Sequence, residues 1–397
     1  MNALFRIEEP AQRAAPQGFA LWQLGFRPFY LLASAFAAMS IPLWALQYAG
    51  WLDRPYLAGP LWHAHEMLFG FTLAVIVGFL LTAARNWSGR PTPTGAALAA
   101  LALLWLAARV LVLTPWGWAA AAANVAFPLA AAVALARPLL AARNRRNYFL
   151  VGLLALMAAA AGWVHLALLG LLPLPGRTGI QLAQDLVLFL VAVMTGRVLP
   201  MFTNNGVPGA HAKRHALVEK LALSSVLALL MADALQLPPG VVGAIAAIAA
   251  AAHGLRWLLW QPWTTLRTPI VWVLHVATLW IPVHLLLRAL AAAGWASPSA
   301  AAHALTAGAV GGLIIGMMTR TARGHTARPL RADRCDVACY LLVLIGALVR
   351  VAVPLLAPAL TQASVLLSAA LWSAGFALFA LRYWPVLTRP RLDGKPG

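Results

Sequence analysis

Long apolar runs alternate with short polar interruptions along the whole chain. A helix needs roughly 20 residues to cross about 30 Å of hydrocarbon. Twelve runs approach that length, near 27–49, 61–84, 94–114, 116–136, 149–172, 180–202, 217–236, 239–260, 269–292, 299–321, 335–357 and 362–386. The stretches between them are too short for a soluble domain of any size. The pattern predicts an all-α, polytopic membrane protein in which residues 27–386 form a single domain of twelve transmembrane helices. Residues 1–26 are read as a cytoplasmic or interfacial N-terminal segment and 387–397 as a cytoplasmic tail. Arg6, Glu8, Glu9 and Arg13 precede the first apolar run without a cleavable-signal pattern, so the first span is expected to be the anchor.

Composition agrees with a bilayer as the main partner, because 62% of residues are hydrophobic and only 10% charged. The net charge of +19 adds direction. Basic residues cluster at Arg85/Arg90, Arg137/Arg143/Arg145/Arg146, Lys213/Arg214, Arg256/Arg267, Arg320/Arg323/Arg328/Arg331/Arg334 and Arg389/Arg391/Lys395, each cluster at or after the end of an even-numbered span. The alternate loops carry little beyond Arg54 and Arg177. By the positive-inside rule both termini are cytoplasmic and the even spans run inward. Topology and attraction to anionic lipid therefore account for the charge, with no stripe of basic and aromatic residues to suggest nucleic acid.

On this topology five of the ten histidines share the outer layer of the membrane: His63, His65, His165, His284 and His303. Ionisable groups inside a bilayer are costly and mark function, and neutral imidazole is the commonest protein ligand for haem iron and copper. The spacing predicts a metal or haem site near one bilayer surface. His63 and His65 are two residues apart and project about 200° from each other on a helix, so they serve two neighbouring centres, or one ligates while the other supports. Glu66, three residues beyond His63, is expected on the same face, to orient an imidazole or carry protons. His253 and His275 lie toward the inner half, and His211, His215 and His325 in cytoplasmic loops.

Arg109, Arg288 and Arg350 also lie in outer portions of their spans. Guanidinium forks pair with carboxylates. Haem propionates are one set of partners, and Asp185 and Glu66 the other, unless the side chains snorkel to the interface. Gln181 and Asp185, one turn apart, extend the polar layer as a proton or water path or as helix-binding groups. Gly308, Gly312 and Gly316 form a small-residue stripe roughly opposite His303, suited to close helix packing. The 17 tryptophans are read as an interfacial belt. Cys335 and Cys339 are read as packing residues, since a lone pair lacks the further ligands of a zinc site.

Several segments together resemble the NnrS family: Gly25-Phe26-Arg27-Pro28-Phe29, Leu61-Trp62-His63-Ala64-His65-Glu66-Met67, Gly78-Phe79-Leu80-Leu81-Thr82-Ala83 with Asn86-Trp87, Arg197-Val198-Leu199-Pro200 with Phe202-Thr203-Asn204, and His303-Ala304-Leu305-Thr306-Ala307-Gly308 through Met317-Met318-Thr319-Arg320 and Gly324-His325-Thr326. The likeness runs over essentially the whole chain. It implies a twelve-span protein of the bacterial inner membrane that contains haem, of b type by expectation, and copper. It also implies a link to nitric-oxide metabolism in denitrifiers and to protection against nitrosative stress. The family pattern maps onto His63, His65, His303 and His325.

A looser likeness is to the catalytic subunit of haem-copper oxidases and nitric-oxide reductases. This chain lacks that superfamily's second span-ten histidine and its span-six copper motif, which argues against the usual binuclear centre. Copper ligands would be built differently, for instance from His165, His284 and the remaining span-two histidine. Two functional classes compete. One is a haem-binding redox protein of the nitric-oxide response, an oxidoreductase if it is catalytic, with nitric oxide or a related molecule as ligand and quinol as the candidate electron donor. The other is a transporter or channel for a small molecule or metal, with the histidines as its substrate site.

Overall fold

The computed structural model describes residues 18–48, 51 and 56–395. Arg6, Glu8, Glu9, Arg13 and Arg54 lie outside the described residues, as do 396–397. Among the described residues twelve helical rods follow one another: α1 Phe26–Tyr48, α2 Gly59–Ser88, α3 Gly95–Leu111, α4 Gly117–Ala141, α5 Tyr148–Leu168, α6 Arg177–Gly206, α7 Ala216–Ala234, α8 Pro239–Leu259, α9 Pro269–Ala292, α10 Pro298–His325, α11 Arg334–Leu356 and α12 Thr361–Thr388. No strand occurs among the described residues. Ten of the rods are long and apolar enough to cross a membrane. The expectation of twelve is met at ten by this measure. α3 has only 17 residues, and α7 carries Glu219, Lys220 and Asp233.

Helix starts follow the sequence. Proline stands in the first turn of α2, α8, α9 and α10, where its missing N–H costs nothing. Ser297 caps α10 by accepting a 3.1 Å hydrogen bond from the Ala300 amide, and Asp333 and Asp336 form a capping box on α11. Prolines also lie inside α1, α4, α6, α9, α11 and α12, as membrane helices tolerate.

Consecutive rods pack side by side, and α1 closes the arrangement against α12. α2 packs against α1 and α4, reaches α6 through its middle turns, and is the most enclosed of the ten apolar spans, whereas α8 is the most exposed. Glycines set the closest approaches. A Cβ added at Gly78 would stand 2.8 Å from Phe29 of α1. The α10 stripe packs on α9: added Cβ atoms at Gly308, Gly312 and Gly316 would meet Trp280, Ala277 and Leu274 at 2.5, 2.7 and 2.7 Å. Neighbouring backbones can come this close only because the side chains are absent.

The arginine-rich end of the bundle is tied by specific bonds. Arg27 donates to the Leu387 and Arg389 carbonyls at 2.9 and 2.8 Å. Arg323 bridges Asp333 and Asp336 at 2.7 and 2.6 Å. Cys335 and Cys339 are free thiols beside this network.

Both helices that carry the leading ligand candidates change winding near those candidates. α2 passes into a π-helical segment at Glu66–Thr72, and α10 does so at Ala304–Gly311. π segments are uncommon and concentrate at functional sites. The Trp105 indole of α3 donates to the Gly70 carbonyl within the first of them at 3.0 Å.

Candidate functional site

The five histidines singled out above lie toward one end of the bundle, where α2, α6 and α10 begin and α3, α5, α9 and α11 end. Four of them meet in two pairs. His63 and His65 face apart, His63 toward His303 of α10 and His65 toward His165 of α5.

In the first pair the His63 and His303 rings are within 14° of parallel, with centres 6.3 Å apart. They line a cavity of about 350 Å³ together with Met67, Gln184, Arg350 and Trp372, a size in the range of cofactor pockets. His303 is held from behind, because its Nδ1–H donates to the Ser299 carbonyl one turn earlier at 2.7 Å. That bond fixes the tautomer and leaves Nε2 with a free lone pair. Arg350 lies 3.5 Å from the Ser299 hydroxyl and has no carboxylate partner among the described residues.

The second pair sits in a closed, charged nest. His65 and His165 are buried with their rings edge to face, centres 5.0 Å apart. The His65 Nδ1–H donates to the Glu66 carboxylate at 2.8 Å. The same carboxylate oxygen accepts from Arg109 at 2.5 Å, and the other terminal nitrogen of Arg109 donates to Asn124 of α4. Tyr56 donates to the His165 carbonyl at 3.3 Å and accepts from His165 Nδ1–H at 3.2 Å. Four buried atoms of the nest are left without a hydrogen-bond partner among the described residues: Nε2 of His65, Nε2 of His165, Oε2 of Glu66 and Nε of Arg109.

Glu66 thus serves His65, not His63 as the three-residue spacing predicts. The Glu66 carboxylate is instead held by Arg109 of α3, on the same oxygen that accepts from His65.

His284 stands apart from both pairs. Its Nδ1–H donates to the Ala301 carbonyl at 2.7 Å, and its Nε2 is buried without a partner. The histidines set aside on sequence use their Nε2 differently. His275 spends it on the Thr203 hydroxyl at 2.8 Å and His253 on the Ala222 carbonyl at 3.1 Å. A proton on Nδ1 bound to oxygen and a bare Nε2 is the state of an oriented metal ligand. His65, His165, His284 and His303 share it.

The three arginines separate as well. Arg109 is committed to Glu66, and Arg288 bridges Asp185 at 2.8 Å and Asp233 of α7 at 2.5 Å. Gln181 supports Asp185 at 3.2 Å. The carboxylate alternative therefore holds for Arg109 and Arg288, and of the three Arg350 alone has no carboxylate partner among the described residues and lines the cavity wall. Sequence reasoning missed Tyr56, Asn124, Gln184, Asp233 and Ser299. Of these, Asp233 carried a usable signal, as a carboxylate near the end of an apolar run.

The NnrS protein family model matches residues 20–391, which include both histidine pairs. The chain belongs to the NnrS family. It is accordingly a membrane protein whose family is consistent with a role in the nitric-oxide response. No curated protein matches it. Three of its four family-pattern histidines, His63, His65 and His303, lie at the site. The fourth, His325, ends α10 at the opposite end, its ring 5.5 Å from that of Phe26.

Proposed function

We propose that this NnrS-family chain is a haem protein of the bacterial inner membrane that acts in the nitric-oxide response, with twelve spans and the histidine end toward the periplasm. The observation that carries the reading is the near-parallel pair of His63 and His303 across a cofactor-sized cavity. The two rings line one cavity with centres 6.3 Å apart, and imidazole–metal bonds are about 2.0–2.1 Å, so His63 and His303 would hold the metal of a group seated there once their nitrogens turn toward it. The residues fit the group. Haem held by both imidazoles would supply a one-electron centre, at which nitric oxide would bind by displacing one of them.

The surrounding side chains have separable tasks. Ser299 fixes the His303 ring. Arg350 is placed to pair with a propionate, since a guanidinium lacking a carboxylate partner on the wall of a polar-rimmed cavity suits an anionic group. Met67 and Trp372 exclude water from the wall.

Copper, which the family resemblance adds, fits the second pair. His65 and His165 present two bare buried nitrogens, with the Glu66 carboxylate behind. No cluster of three or more metal-ligating side chains occurs among the described residues, so this donor set differs from a closed four-ligand zinc site. On this reading α3 and α7 complete the twelve spans: about 1.5 Å of rise per residue carries the 17 residues of α3 and the 19 of α7 across most of the hydrocarbon.

The test is a reduced-minus-oxidised absorption spectrum with metal analysis on the purified protein. A Soret band that disappears or shifts in His303→Ala and in His63→Ala, while the protein still inserts, is the expected result. Full, unshifted haem content in both variants would refute ligation by this pair.

A further inference from the structure

A second cavity, of about 100 Å³, lies where α2, α6 and α10 meet. Its walls include Ile76, Val191, Val310, Leu313 and Ile314, and among the described residues no charged side chain lines it. The hydroxyls on its wall belong to Tyr30, Thr72 and Thr195, and that of Thr195 is spent on the Val191 carbonyl at 2.7 Å. Thr72, the last residue of the α2 π segment, also lines the His63–His303 cavity. The two spaces share a wall. Phe79, Val191, Met194 and Met317 on the wall of the smaller one are half-buried.

We infer that this chamber is a binding site for a small apolar gas, which it takes from the lipid and delivers past Thr72 to the histidine cavity. Three observations select that occupant. Apolar cavities stay dry and take up xenon or benzene at about 150 Å³, so a chamber of about 100 Å³ has room for a diatomic gas. Its walls offer no cation or amide to hold a polar headgroup. Its neighbour is the cavity that holds the proposed haem, and delivery of nitric oxide there rests on that reading, whereas gas binding in the chamber does not.

Xenon-pressurised crystals of the wild-type protein test the chamber without reference to haem. A xenon peak bounded by Ile76, Val191 and Leu313 is expected, with higher occupancy in Ile314→Ala. An empty chamber, or one filled by an acyl chain, overturns the proposal.

Delivery is tested by stopped flow, following the rate at which dissolved nitric oxide perturbs the Soret band. Val191→Phe and Ile314→Trp on the chamber wall should each slow that rate about tenfold, a modest rise in barrier, while haem content and the resting spectrum stay unchanged. Unchanged rates in a properly loaded variant remove the chamber from the path. A wild-type protein with no Soret band would sink the haem assignment and leave the xenon result to decide the chamber.

Discussion

Two imidazole pairs that begin from one H-x-H motif end in opposite environments. The His63–His303 pair borders an open cavity of about 350 Å³, and its one guanidinium, Arg350, has no carboxylate partner among the described residues. The His65–His165 pair is sealed, and its guanidinium, Arg109, is consumed by Glu66 and Asn124. Space without internal charge compensation accommodates a large anionic cofactor. Charge compensation without space holds side chains rigid around something no larger than an ion. On the proposed reading the difference gives neighbouring histidines different occupants, which would make the two pairs separable by mutation.

Separation should be complete in the largest effect expected. His303→Ala and His63→Ala remove ligands and should abolish or shift the Soret band with copper retained. His65→Ala and His165→Ala should lower copper content and leave the Soret band near wild type. Spectra that respond equally to all four substitutions would merge the pairs into one centre.

Next in size is Arg109→Leu. It strands the Glu66 carboxylate in a buried site, and breaking a buried ion pair from one side costs about 3–5 kcal/mol. Thermal unfolding in detergent should show this loss, and Glu66→Gln on the same background should recover part of it. Arg109→Leu with unaltered stability would mean that the nest is not holding an ionised carboxylate. Gly70→Ala probes the same point more gently, because a Cβ there would stand 2.8 Å from Arg109.

Much of this was legible in the chain. Apolar run lengths located every helix to within a few residues, since hydrocarbon thickness dictates helix length. The basic clusters all fall at the ends of even-numbered helices or in the loops that follow them, as charge sorting predicts. The opposed faces of His63 and His65 followed from helix geometry alone. Three things were hidden. The π segment at Glu66–Thr72 has no sequence signature, and the Arg109 partner that holds Glu66 comes from another helix. The choice of His165, not His284, as partner for His65 depends on which helices touch, which periodicity does not encode. Tyr56 reaches His165 from a loop distant in sequence and Asn124 reaches Arg109 from the next helix, while Ser299 acts on His303 from one turn earlier through its backbone carbonyl. α3 and α7 show the limit of the run-length argument itself: both continue the up-and-down order, yet one is short and the other carries three charged residues.

The arginines give the smallest effect and the sharpest contrast. If Arg350 pairs with a propionate, Arg350→Leu removes a charge-assisted bond worth about 1.5–3 kcal/mol and leaves a carboxylate poorly compensated near the iron. Negative charge favours the ferric form, so the reduction potential should fall and haem should be lost more readily in detergent. Arg288 is already neutralised by Asp185 and Asp233. Arg288→Leu should therefore destabilise the contact among α6, α7 and α9 while leaving the potential of the retained haem near wild type. A fall in potential for Arg288→Leu with none for Arg350→Leu would reverse the assignment and place the propionates on the opposite side of α10.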